Sequence, residues 1–232
     1  MQQHSPIFCA IDTPELGQAR ALAQAVRGAV NIKLGLEFFV AHGPAGVREV
    51  AGKVPLFLDL KLHDIPNTVA GAVRIAAALR PMLLTVHCAG GPAMMRAAAE
   101  AAAKAAPDRQ RMKLLGVTVL TSLDDNDLAA VGQQGPAAEQ VKRLALLAKA
   151  CGLDGVVCSP LEVAMLREAC GKDFLLVVPG IRLLGVAAGD QKRVMGPRET
   201  LAAGADYLVI GRPITGAPDP AAAARAMVAA TR

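Results

Sequence analysis

Asp59, Lys61 and Asp64 stand within six residues of one another in the run PLFLDLKLHDIPNT at 55–68. Leu56, Leu58, Leu60 and Leu62 recur at every second position, with Phe57, Asp59, Lys61 and His63 between them. That alternation belongs to a strand, and it puts Asp59 and Lys61 on one face. A carboxylate beside an ammonium at the end of an apolar strand is costly to bury unless the charges are paired or put to use. A structural ion pair, with Asp64 as a helix N-cap, accounts for any one of these charges. Three of them at one strand end, directly before the helix that Ile65-Pro66 opens, favour an electrostatic cluster made for chemistry.

The surrounding pattern supplies a frame for that cluster. Short apolar runs at 7–12, 31–35, 55–62, 83–89, 113–120, 155–159, 174–180 and 206–211 read as eight strands. Helical patterns at 14–27, 36–50, 65–79, 91–106, 160–170, 197–203 and 220–231 alternate with them, and a stretch broken by Gly-Gln-Gln-Gly-Pro runs to Ala150. Thr13 is the expected N-cap of the first helix, with Pro14 in its first turn. Residues 184–193 form a polar, Gly-rich loop. This β/α rhythm, with no linker or composition break, predicts α/β architecture as one (β/α)8 TIM barrel spanning residues 1–232. A doubly wound open sheet would carry a G-x-G-x-x-G turn after its first strand. Here that turn is Asp12-Thr13-Pro14-Glu15, which cannot cradle a pyrophosphate.

Composition narrows the function classes. Hydrophobic residues at 53% supply a large core, and charged residues at 19% argue against disorder. No apolar run reaches membrane-spanning length, and the opening MQQHSPIFCAID lacks the regions of a signal peptide. The cysteines Cys9, Cys88, Cys151, Cys158 and Cys170 are odd in number and form no C-x-x-C pair, against both a disulfide framework and a zinc site. They read as buried thiols of a reducing compartment, hence the cytoplasm. None of His4, His42, His63 and His87 has a metal-ligand partner at useful spacing. The net charge of +5 suits an anionic ligand, yet no dense Lys/Arg block is present, Trp is absent and Tyr occurs once, which disfavours nucleic acid.

Barrel function gathers at the C-terminal strand ends. Asp12, Lys33, Asp59, Lys61, Asp64, His87, Thr121, Ser122, Ser159, Gly180, Arg182, Gln191, Gly211 and Arg212 fall at or near that rim. Gly180 and Gly211 permit close backbone approach to an anion, and Arg182 and Arg212 add charge-assisted hydrogen bonds. Together with a helix start after the last strand they point to phosphate binding.

The run DLKLHDIPNT at 59–68 resembles the signature of the orotidine 5'-phosphate decarboxylase family. AID at 10–12, K-x-G at 33–35, VHCAGG at 86–91, VLTS at 119–122, PGIR at 179–182, GDQKR at 189–193 and GRPI at 211–214 follow in the family's order, across nearly the whole chain. Departures are small: Leu183 where proline usually follows PGIR, Cys88 for the commoner alanine, and Gly196 for threonine before Pro197. The resemblance implies conversion of orotidine 5'-monophosphate to UMP and carbon dioxide, the last step of pyrimidine nucleotide synthesis, with no metal and no organic cofactor. It implies that Lys61 protonates C6, that Asp59 lies near the substrate carboxylate and that Lys33 extends the charge network. Asp64 and Thr68 would cross a homodimer interface into the neighbour's site. Asp12 would bind a ribose hydroxyl, Thr121 or Ser122 the base, and Arg182, Gln191, Gly211 and Arg212 the phosphate.

Sugar-phosphate lyases that use magnesium share the barrel and the Asp-x-Lys-x-x-Asp strand. Their second strand carries a carboxylate for the ion, where this chain has Lys33. A non-catalytic phosphate-ligand or nucleic-acid binder would not require a carboxylate wedged between two lysines.

Overall fold

A computed structural model describes residues 5–105, 112–133, 135–181 and 195–232. Its strands are β1 (Ile7–Ile11), β2 (Asn31–Gly35), β3 (Leu56–Leu62), β4 (Leu83–His87), β5 (Lys113–Val117), β6 (Gly155–Val157), β7 (Leu175–Val178) and β8 (Tyr207–Ile210). They pair in parallel, each with the next, and β8 returns to β1, so the sheet closes as the predicted barrel. Around it lie α1 (Leu16–Val26), α2 (Leu36–Ala51), α3 (Pro66–Ala77), α4 (Gly91–Ala105), α5 (Asp125–Ala130), α6 (Ala137–Ala150), α7 (Val163–Cys170), α8 (Pro197–Ala202), α9 (Arg212–Thr215) and α10 (Pro220–Ala229).

Strands covered on both faces must be apolar on both, which is why β1 and β2 are buried along their whole length. Alternation then divides their side chains. Ile7, Cys9, Ile11, Leu56 and Leu58 pack outward beneath the helices. Phe8, Phe57, Leu83, Leu115 and Val177 form a separate interior cluster. Phe8 meets Phe57 and Tyr207 edge-on, at centroid distances of 5.7 and 5.4 Å. This apolar plug fills the barrel below the mouth and separates the charged groups of β2 and β3 above it from those at the strand starts.

Several expected boundaries move. The first helix begins at Leu16, and its N-cap Glu15 makes no side-chain cap. Thr13 instead accepts the Glu15 amide at 3.2 Å and donates to Gln18 Oε1 at 2.6 Å, closing a local turn ahead of the helix. β4 stops at His87 because Cys88–Gly90 turns into a 3-10 helix. β5 ends at Val117 rather than 120, and the Thr118 hydroxyl donates to Val157 O at 3.0 Å, tying the departing chain to β6. The broken helical stretch is two helices, α5 and α6, the first opened by a reciprocal capping box of Asp124 and Asp127. α2 contains a kink at Gly43, where φ is 56°, beside Pro44. The loop expected over 184–193 lies outside the described residues. All five cysteines are free and buried. No helix among the described residues is long and apolar enough to cross a membrane.

Candidate active site

β3 is not the regular strand its alternating leucines suggest. Its register against β4 shifts between Leu58 and Leu62, and Lys61 has φ +48°. Left-handed backbone costs a non-glycine residue roughly 1–2 kcal/mol. The other such residue among those described, Arg80, lies in the turn after α3. Lys61 lies inside a strand, so its strain is held by what surrounds it. Lys61 does meet Asp59, but through this irregularity rather than through ideal pleating.

Four charged side chains from three neighbouring strand ends join in a row. Lys61 Nζ donates to Asp59 Oδ2 at 2.8 Å. Lys33 Nζ lies 3.7 Å from the same oxygen and 2.9 Å from Asp12 Oδ1. The Lys33 side chain is 9% exposed and that of Asp59 12%, while Lys61 at 32% reaches the opening. Burial pushes the Asp59 carboxyl upward, but the charges of Lys33 and Lys61, with hydrogen bonds from Lys61 and Thr85, outweigh it and hold the group below the usual carboxylate range. Asp59 is therefore an anion wedged between two cations. Gly35 makes room for the row. A Cβ there would stand 3.1 Å from Lys33 Nζ and 3.3 Å from Asp12 Oδ1.

Beside the row opens a cavity of about 160 Å³. Lys33, Asp59, Lys61 and Thr121 supply its polar wall, and Val117, Val157, Cys158, Pro179 and Val209 are among its apolar lining. It is wide enough for a small ring set against the ammonium groups. Apolar walls with a few convergent polar groups are the usual make-up of a small-molecule site.

Other expected residues fall as follows. Asp12 stands just past β1, exposed, and its carboxylate is engaged by Lys33. Ser122 is exposed beside Thr121. Ser159 is fully buried, and its hydroxyl has no partner among the described residues. His87 stacks on His63 at 5.1 Å, and burial, reinforced by the nearby His63 and Lys61, lowers its pKa. Asp64, just ahead of α3, and Thr68, in the first turn of that helix, are both exposed, and the row of charges within one chain closes on Asp12 rather than Asp64. Asp64 does not cap α3 either: among the described residues its Oδ1 accepts only the adjacent Ile65 amide, at 2.6 Å, and the N-cap is Ile65. Gly180 has φ +79°, the left-handed conformation that glycine adopts freely. Gly211 leads directly into the one-turn α9, on which Arg212 is exposed. Arg182 and Gln191 lie outside the described residues. Among the described residues no group of three or more His, Cys, Asp or Glu side chains is placed to hold a metal ion.

Thr85 is the contact that sequence reading overlooked. Its hydroxyl lies between Asp59 and Lys61. The available signal was a hydroxyl in the apolar run LLTVHCA, two residues before His87.

The family described as "Orotidine 5'-phosphate decarboxylase / HUMPS family" matches residues 5–227. The chain is 57% identical over 226 residues to an orotidine 5'-phosphate decarboxylase of Rhodospirillum rubrum, covering 95% of this chain and 92% of that protein. It is 53% identical to one of Thermobifida fusca, covering 97% and 95%. A solved orotidine 5'-phosphate decarboxylase from Lactobacillus acidophilus superposes with a TM-score of 0.88 at 37% identity, over 98% of this chain and 99% of that one.

Proposed function

The chain belongs to the orotidine 5'-phosphate decarboxylase / HUMPS family, and on that premise we propose that it converts orotidine 5'-monophosphate to UMP and carbon dioxide. The observation that carries the reading is the Asp59 carboxylate held between Lys33 and Lys61 at the wall of a mostly apolar cavity. Loss of carbon dioxide from C6 of the pyrimidine leaves an electron pair in the ring plane, where the π system cannot absorb it. Without an organic electron sink, a fixed cation beside C6 must offset the charge. Opposite charges about 4 Å apart interact by roughly 4 kcal/mol at an effective dielectric near 20. That is about three powers of ten in rate at roughly 1.4 kcal/mol each. Positioning, and binding energy drawn from the substrate phosphate, must supply the remainder.

Lys61 supplies the cation and then gives its proton to C6 as general acid. Asp59 faces the departing carboxylate, and Lys33 keeps Asp59 ionised and aligned. Asp12 binds a ribose hydroxyl, and Thr121 and Ser122 meet the base. Arg182, Gln191, Gly211 and Arg212 grip the phosphate beyond β7 and β8. Metal-dependent chemistry suits the site poorly, because the Lys33 ammonium repels a divalent ion where a ligand would have to stand.

Asp64 and Thr68 complete the site of a second copy. The exposure of both in a single chain, with the apolar Ile65 67% exposed beside them, supports that assignment. Five buried thiols suit a reducing cytoplasm.

An ultraviolet assay with orotidine 5'-monophosphate, with and without a chelator, tests the reading. Turnover indifferent to chelation is the expected result. No turnover, or a requirement for a divalent ion, refutes it. For the shared site, mixing Asp64→Ala with Lys61→Ala subunits should restore part of the activity that each lacks. No recovery after confirmed subunit exchange would place Asp64 within its own site.

A further inference from the structure

Leu58 pairs with Leu84 and Leu62 with Val86, so β3 advances four residues while β4 advances two. Asp59, Leu60 and Lys61 thus face a single residue of β4, Thr85. Thr85 is fully buried and its hydroxyl is used twice. It accepts the backbone amide of Lys61 at 2.8 Å and donates to Asp59 Oδ1 at 2.9 Å. The two bonds fix one another. An amide can only donate, so it occupies an acceptor site of the hydroxyl and leaves the single hydroxyl proton for the carboxylate.

We propose that Thr85 is a positioning residue for decarboxylation, acting through both Asp59 and Lys61; this rests on the function proposed above. The strand irregularity deprives the Lys61 amide of a ladder partner, and the Thr85 hydroxyl replaces it. That bond holds Lys61 in its left-handed conformation and so aims the side chain. The second bond fixes Asp59 Oδ1, which leaves Oδ2 turned to Lys61 and Lys33. A single side chain therefore sets the spacing of the anion and the proton donor. The hydroxyl carries the role, and the methyl group only fills space.

Thr85→Val keeps the shape and removes both bonds, while Thr85→Ser keeps both bonds. In the intact enzyme, Thr85→Val should lower kcat about 100-fold, the scale of a misplacement near 1 Å. KM and UMP affinity should stay within about threefold, because only the interaction made in the transition state is lost. Amide hydrogen exchange at Lys61, followed by NMR in ligand-free protein, should quicken at least about tenfold. Thr85→Ser should restore both readouts. If the valine variant does not fold, Thr85→Ala carries the same expectations. Unchanged kcat in Thr85→Val, a parallel loss of UMP affinity, or a serine variant no better than valine would each overturn the proposal. Failure of the function itself would show separately, as wild-type protein without turnover, and the exchange comparison would then decide whether Thr85 holds Lys61.

Discussion

At the floor of the barrel, Asp154 and Asp206 occupy equivalent places, each immediately ahead of a strand, β6 and β8. Asp154 accepts the Leu114 amide at 2.9 Å and the Lys113 ammonium at 3.1 Å. Asp206 accepts the Leu176 amide and the Arg167 guanidinium, both at 2.7 Å. Arg167 donates further to the carbonyls of Gly171, Phe174 and Gly204. These charges are tied to the backbone of neighbouring strands and loops. At the mouth the same residue types are arranged differently. Among the described residues, Asp59 takes its hydrogen bonds from the side chains of Lys61 and Thr85 alone. Lys61 gives one of its three ammonium hydrogens to Asp59 and faces the cavity. The floor uses ion pairs as fasteners between elements. The mouth keeps charge in store, partly paired and aimed at a space a ligand can enter.

Two substitutions sharpen that contrast. Lys61→Ala should reduce kcat by at least about a thousandfold, on the electrostatic contribution alone, while the protein stays folded, because alanine keeps the Cβ and leaves the backbone at this position as it was. Near-normal turnover would remove Lys61 from the chemistry. Arg167→Ala should show the opposite profile. It leaves a half-buried carboxylate and several carbonyls without their donor, at a cost of about 3 kcal/mol of stability. For a chain of this size that lowers Tm by roughly 6–12 °C, with kcat per folded molecule preserved. A large loss of kcat with unchanged Tm would erase the distinction between the two ends.

The floor and the mouth were not equally legible in the sequence. The barrel could be read because eight apolar runs alternate with helical patterns, and fully buried parallel strands leave a strong signal of that kind. Asp59, Lys61 and Lys33 could be read because charges within such runs are conspicuous. Asp154 and Asp206 stand at strand starts, where an acidic residue looks like ordinary loop, and their partners lie 30 to 41 residues away. Thr85 was hidden by its chemistry, since threonine is a common strand residue and its use here depends on a register shift that no local pattern reveals. Asp12 was read as a ligand-binding group, and its pairing with Lys33 across β1 and β2 became apparent only in three dimensions.

A smaller change probes how closely the mouth is fitted. Gly35→Ala places a methyl group 3.1 Å from Lys33 Nζ and 3.3 Å from Asp12 Oδ1. Both atoms end flexible side chains, so they yield by a few tenths of an ångström and the fold should survive. The displaced Lys33 no longer holds Asp59 in line, and kcat should fall about tenfold with Tm nearly unchanged. An unaltered kcat would mean that the Asp12–Lys33 contact is a fastener like those at the floor.

Acid offers the gentlest test, because it removes the Asp59 charge without altering a side chain. The Asp59 carboxyl lies below the usual range in the folded protein, whereas in the unfolded chain it titrates near the ordinary value of about 3.9. The unfolded state therefore binds the proton first, and the stabilisation from this ionised group is complete only above that value. It fades as the pH falls from there through the lower, folded value. Asp59→Asn lacks the charge at every pH, leaving Lys33 and Lys61 to repel one another. It should be less stable than wild type at neutral pH, and the two Tm curves should converge on acidification below about pH 4. Curves that stay parallel would show that Asp59 contributes to the fold through its shape and hydrogen bonds rather than its charge, as a fastener would.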